Sequence, residues 1–353
     1  MAQSISIDSG SVLIGSPIEV SVQAESVGNK ATFHRVKLLV SAALSTDGQY
    51  EDFELSAPVT DGETAIFDIS DTLRTVAGKF TYSPITAEYT YPYLAYNLKA
   101  WDEYMVDGIL HEKVAERNYG STMYALMGAF TDAERYLSDG TKSVTSFSRK
   151  PLKGEVCSQN ESVVYPSAPS SDISIHSEIS SGPMVNIMSL SDKSGMVSVG
   201  ERQVYVDTNA TNRVQFQFVN GLGIVESISA ESLEALETSG TSEITAITAP
   251  ASFKGVNRMS ANKSGRRPKY KMSTGAITQE WAEWWHNEFF DQSDKFRRTL
   301  AQSCWIKLDG HWWPCAAILE DDTTIYDRTQ NGMVRIDFTV HLAIDGLMRP
   351  RIL

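Results

Sequence analysis

The chain has 353 residues, 42% of them hydrophobic and 10% aromatic, with a formal charge of −13. That length exceeds one ordinary core and predicts two domains, while the lack of any run near the roughly 18 apolar residues of a spanning helix excludes that kind of membrane protein. The acidic balance argues against broad or specific nucleic-acid binding, and three cysteines with no Cys-x-x-Cys pair exclude a disulfide framework.

The start, Met1-Ala2-Gln3-Ser4, lacks the basic region and apolar core of a secretion signal, so the chain is expected to be made and used without one. Residues 1–150 form the first predicted domain, an antiparallel β-sandwich. Pro17–Ala24 alternates cleanly, and His34–Val40 does so on its even positions. Further strands fit Tyr50–Leu55, Thr64–Ile69, Ile85–Tyr91 and Tyr93–Lys99, divided by Asp47-Gly48, Asp61-Gly62, Ser83-Pro84 and Pro92. Asp71–Gly78 reads as a short helix capped by Ser70. From Val114 to Lys150 the pattern changes to an arm, helical or irregular, rich in Met, Ala, Leu and Phe over Ser121–Leu137. Thr131-Asp132-Ala133-Glu134 offers it a helix start.

Residues 151–183, Ser- and Pro-rich, read as a linker or exposed strap. The second domain, 184–353, opens with strands at Val185–Leu190, Gln203–Asp207, Arg213–Val219 and Ile224–Ser229, the last two joined by a turn at Asn220-Gly221-Leu222-Gly223. Residues 230–271 are long and polar with a strand-like Glu243–Ile247, an excursion of the kind that serves function or reaches a neighbour. A lid helix is expected over about 277–290, capped by Thr278. Its stripe Ile277, Trp281, Trp284, Trp285 and Phe289 follows a helical period, and each aromatic ring buries roughly 150–250 Å².

Asp309-Gly310 then sets a two-residue hairpin. Pairing outward places Leu308 opposite His311, Lys307 opposite Trp312, Ile306 opposite Trp313, Trp305 opposite Pro314 and Cys304 opposite Cys315. Two reduced thiols are favoured at the last pair, where a disulfide is feasible but awkward. Gly332–Ile344 supplies the final alternating strand.

No phosphate loop, nucleophile elbow, His-Glu-x-x-His or dinucleotide fingerprint occurs, so no catalytic residue, cofactor or metal is expected. The six histidines are scattered. His311 with Cys315 makes only two ligands, and His286 is expected on the polar helix face. Glu320-Asp321-Asp322 with Asp327 reads as a solvated acidic turn before it reads as a calcium loop. Trp305 and Trp312, beside Trp313, Asp309 and His311, make an alternative glycan platform. Glu320 with Asp327 makes a remoter alternative, a glycan hydrolase. Lys263, Arg266, Arg267, Lys269 and Lys271 form the one dense basic run. It reads as a solvated loop, as an arm that docks on the acidic surface of an identical neighbour, or, as a remoter alternative, as a nucleic-acid-binding loop.

Several stretches resemble structural proteins of the distal tail or baseplate of tailed bacteriophages and prophages. They are Thr64–Arg74, Phe216–Glu226 with its Asn-x-Leu-Gly turn, and Lys271–Thr278 running into Glu280-Trp281-Ala282-Glu283-Trp284. The resemblance implies a tail-tube-like β-sandwich with one flanking helix in the second domain. It also implies a homo-oligomeric ring in the virion tail, assembled in the host cytoplasm against other tail and baseplate proteins. The first domain and the Ser121–Leu137 arm depart from that pattern.

Overall fold

The structure, a computed structural model, describes residues 4–7, 13–28, 31–46, 48–130, 147–167, 182–239, 242–247, 258–263, 267–290, 304–319 and 332–342, with the side chains at 32 and 234–268 outside that description. It is mainly β. The N-terminal strands are β1 (Ile5–Ile7), β2 (Glu19–Gln23), β3 (Ala31–Leu44), β4 (Glu51–Pro58) and β5 (Thr64–Asp68). Helix α1 (Ser70–Ala77) follows, then β6 (Tyr89–Thr90), β7 (Leu94–Val106), β8 (Ile109–Asn118) and β9 (Met123–Ala125). One sheet runs β1-β2-β5 and another β4-β3-β7-β8, with β9 paired to β7. A strand buries alternate side chains. Val36, Leu38, Val40 and Ala42 of β3 therefore share one cluster with Val20 and Val22 of β2 and with Ala65 and Phe67 of β5.

Three local expectations change here. Ser70 does not cap α1: it is the first helical residue, and the carboxylate of Asp68 accepts from its backbone N–H at 3.0 Å and from that of Ile18 at 3.1 Å. Ile85–Tyr91 is not a continuous strand. The Gln217 amide accepts from Ile85 N (2.6 Å) and donates to Ile85 O (2.9 Å), standing in for a neighbouring strand. The break expected at Val114 comes later, because Asp107 (φ 52°) and Gly108 (φ 77°) turn the chain from β7 into β8, which continues to Asn118. The proposed helix start at 131–134 lies outside the described residues.

The expected linker begins instead with two strands, β10 (Glu155–Ser158) and β11 (Ser162–Ser167). Cys157, Val163 and Val164 inside it are buried, so the stretch up to Ser167 is part of the folded core; residues 168–181 lie outside the described residues. Then come β12 (Met184–Ser189), β13 (Gly195–Val199) and β14 (Arg202–Asp207). Strand β10 runs parallel to β14, which pairs antiparallel with β13. Strand β12 bridges β11 and β6. Leu190, Val199, Val204 and Val206 close a small core with Cys157 and Val163.

The remaining strands are β15 (Arg213–Val219), β16 (Val225–Ser239), β17 (Ser242–Ile247), β18 (Arg258–Lys263), β19 (Arg267–Ser273) and β20 (Ile277–Thr278). After them come helix α2 (Gln279–Trp284), β21 (Cys304–Leu308), β22 (His311–Leu319), β23 (Met333–Val334) and β24 (Asp337–Leu342). Six of these close into a barrel, β15-β16-β19-β24-β22-β21. The layered sheet therefore has no open edge: Phe216 pairs with Ile306 to complete the ring.

The tryptophan helix lies on this barrel as expected. Thr278 caps it, accepting from Trp281 N at 3.5 Å, and Trp281, Trp284, Trp285 and Phe289 are buried. Its second half, Trp285–Phe290, widens to a π-helix. The extra residue per turn lets Phe289 and Phe290 both reach Trp285, at 4.7 and 5.7 Å, and both reach Phe338, at 6.1 and 5.2 Å.

Candidate assembly surface and its anchorage

Strands β16 and β19 leave the barrel together as a ribbon. They pair at Glu231↔Ser273 and Ser232↔Met272, then again from Leu236↔Tyr270 to Ser239↔Arg267. Between these ladders Leu233, Glu234 and Ala235 stand against Lys271 alone, a bulge that bends and re-aims the pair. Farther out, β17 and β18 pair from Ser242↔Lys263 to Ile247↔Arg258, with no third strand beside them among the described residues.

The basic run follows this ribbon rather than a loop. Lys263 ends β18 and Arg267 begins β19, while Arg266 lies outside the described residues. Lys269 and Lys271 are half-buried and alternate with the inward Tyr270 and Met272, which puts both lysines on the outer face of the barrel. Lys269 stands opposite Glu237 on one side and His341 on the other. From 258 to 271 the sequence holds six Lys or Arg and no Asp or Glu.

The opposite end of β16, at its turn from β15, is held by a buried polar network. The turn Asn220–Gly223 is buried, not exposed. The Asn220 carboxamide oxygen accepts from Leu222 N (3.0 Å) and Ile224 N (3.1 Å), and its Nδ2 donates to Phe147 O (2.9 Å) and Glu226 Oε1 (3.1 Å). Ser148 Oγ donates to the other oxygen of Glu226 at 2.8 Å. Gly221 N donates to Glu288 Oε2 (2.9 Å), whose partner oxygen meets Arg149 Nη1 (2.7 Å); Arg149 Nη2 donates to Ala129 O (2.9 Å). Lys150 is buried between Glu155 (2.9 Å), the carbonyl of Ser227 and the ring of Trp284. The available signal was charge inside apolar runs: Glu226 within Ile224–Ser229 and Glu288 among Trp285, Phe289 and Phe290.

The hairpin register stands as expected from Leu308↔His311 to Trp305↔Pro314. Its tryptophans do not make an open platform. Trp305 is 5% exposed, and Trp312 packs half-buried against the same N-terminal core, with Lys307 Nζ 5.9 Å from its ring centre. The glycan-platform geometry is therefore missing, because these side chains seal one core against another. Glu320 and Asp327 lie outside the described residues. His286 is half-buried at the helix surface with Nδ1 3.4 Å from Asn287 Oδ1. Among the described residues no three His, Cys, Asp or Glu side chains gather as metal ligands.

One acid stands apart. Glu161 is 6% exposed at a cleft of about 280 Å³ that Arg213, Gln215, Lys307 and Asp309 also line. Burial pushes its carboxyl up to about 7, opposed by a hydrogen bond from Ser229 Oγ (2.8 Å) and by Arg213. Comparison with family models, with curated proteins and with solved structures gave no match.

Proposed function

We propose that this chain is a virion structural protein of a tailed bacteriophage, a non-enzymatic scaffold that forms a ring at the distal tail or baseplate. The observation that carries the reading is the two-stranded ribbon rooted in a closed barrel. Its outer strands, β17 and β18, have no third strand beside them among the described residues and offer backbone groups to another chain. Its six cations sit in a chain whose total charge is −13, so the rest of the surface is the complementary partner. Ring closure is heterologous, the ribbon of one copy meeting a different face of the next, with Lys263, Arg266, Arg267, Lys269 and Lys271 at the contact. An acidic lumen then lets DNA pass without phosphate contacts.

The test removes the outer part of the ribbon, β17 and β18, and leaves the barrel. Replacing residues 240–266 by a short Gly-Ser turn joins Ser239 to Arg267, which already pair. Light scattering after size exclusion is expected to show rings for the full chain and monomers for the truncated one, with the β-type circular dichroism retained. A full chain that stays monomeric at high concentration overturns the reading.

A further inference from the structure

Cys304 and Cys315 sit one step beyond the Trp305↔Pro314 pair, on adjacent antiparallel strands of the barrel. Their sulfurs are 3.6 Å apart, present as thiols, with Cys315 Sγ donating toward Cys304 Sγ. Counting from the Asp309-Gly310 turn makes this a hydrogen-bonded pair, whose Cα atoms lie about 5.5 Å apart. That separation falls inside the roughly 4.4–6.8 Å span of protein disulfides. Cys157, the third cysteine, belongs to a different core.

We infer that Cys304 and Cys315 form a latent cross-strand disulfide, a modification site that staples the open end of the β21–β22 hairpin when a small disulfide oxidant such as oxidised glutathione reaches it. Cys304 gives its proton to solvent and attacks first, since the Cys315 S–H already points at its sulfur and so stands in place for the second displacement. Its sulfur bonds to one sulfur of the oxidant and the other leaves as a thiolate. Cys315, having given up its proton to solvent, then displaces the second glutathione thiolate. Two protein thiols are oxidised, one oxidant disulfide is reduced to two thiols, and the protons are accounted for.

The two side chains are only 4% and 5% exposed, and burial pushes the Cys315 thiol well above the usual thiol range. Attack therefore waits on local opening of the hairpin, which distinguishes this site from a surface thiol. The inference does not rest on the assembly reading.

The test uses the full chain in glutathione buffers of stepped potential, followed by alkylation and peptide mapping, with and without urea below the unfolding transition. The expected product is a peptide joining Cys304 to Cys315, about 2 Da lighter than the two reduced peptides. It forms faster in urea, while Cys157 stays open to alkylation once the chain is unfolded. Cys315→Ser, or Cys315→Ala should the serine variant fail to fold, is expected to accumulate glutathione on Cys304, which the wild type does not retain. Cys304 and Cys315 both still alkylatable, with Cys157, at the most oxidising step in urea, or persistent glutathione on wild-type Cys304, overturns the inference.

Discussion

Glu161 shows how one side chain couples the small core to the barrel. Its carboxyl lies on the turn between β10 and β11, yet it is held by Ser229 of β16 and faces Arg213 of β15. Because burial raises the folded value to about 7 from an ordinary 4.5, the folded state holds a proton that the unfolded chain has released. Stability from this group is complete below the unfolded value and is lost as pH rises from about 4.5 through 7. The full loss is roughly 3 kcal/mol, at about 1.4 kcal/mol per unit. Urea titrations across that range are expected to show the decline, and Glu161→Gln to remove it. Two glycines test backbone constraint at the same scale. Gly223 (φ +79°) would place a Cβ 2.5 Å from the backbone of Met127, whereas Gly310 (φ +76°) has nothing within 4 Å. Gly310→Ala should cost about 1 kcal/mol of φ strain. Gly223→Ala should cost well beyond that or prevent folding, as thermal melts of the two variants will show.

At the scale of elements, the lid helix carries Trp285, the largest fully buried side chain among the described residues. Trp285 touches Trp284, Phe289, Phe290 and Phe338 within 5.8 Å, so Trp285→Ala is expected to cost about 3–5 kcal/mol by urea denaturation. Thr278→Ala, which removes only the cap, should cost about 1 kcal/mol. These features were legible because they are local. The Asp309-Gly310 turn fixes its pairs by counting outward, and a helical stripe of tryptophans needs no distant partner to be recognised. The even positions of β3 and the final run Val334, Ile336, Phe338, Val340 and Leu342 were readable for the same reason. The π-helix was not. Whether Phe290 joins Phe289 against Phe338 depends on a strand residue 48 positions later, and no spacing within the helix announces it. Ile85 lost its strand to the side chain of Gln217, 132 residues away.

At the scale of the molecule, the mainly β layering and the flanking helix could be read from alternation, while barrel closure depends on β15 meeting β21 across more than eighty residues. The same distance hid the anchorage: Glu226 and Glu288 stand out as charges inside apolar runs, but their partners Arg149 and Asn220 lie far off in the sequence or carry no such mark. Salt tests the assembly reading at this scale: contacts between the basic strand and an acidic neighbour weaken as screening shortens from about 10 Å at 0.1 M to 3 Å at 1 M. Rings measured by light scattering are expected to dissociate over that range, with the melting temperature of the subunit changing far less.

The buried Asn220–Gly223 turn bears on where the chain can be divided. Val219, Leu222, Ile224 and Val225 lie in the N-terminal cluster, although the strands they join belong to the barrel. A cut in the serine-rich tract after Ser167 would strip that cluster of its floor and separate Phe147, Ser148 and Arg149 from Asn220, Glu226 and Glu288. Neither fragment would be a smaller version of the whole; each would be the other's missing half, soluble only when the two are made together.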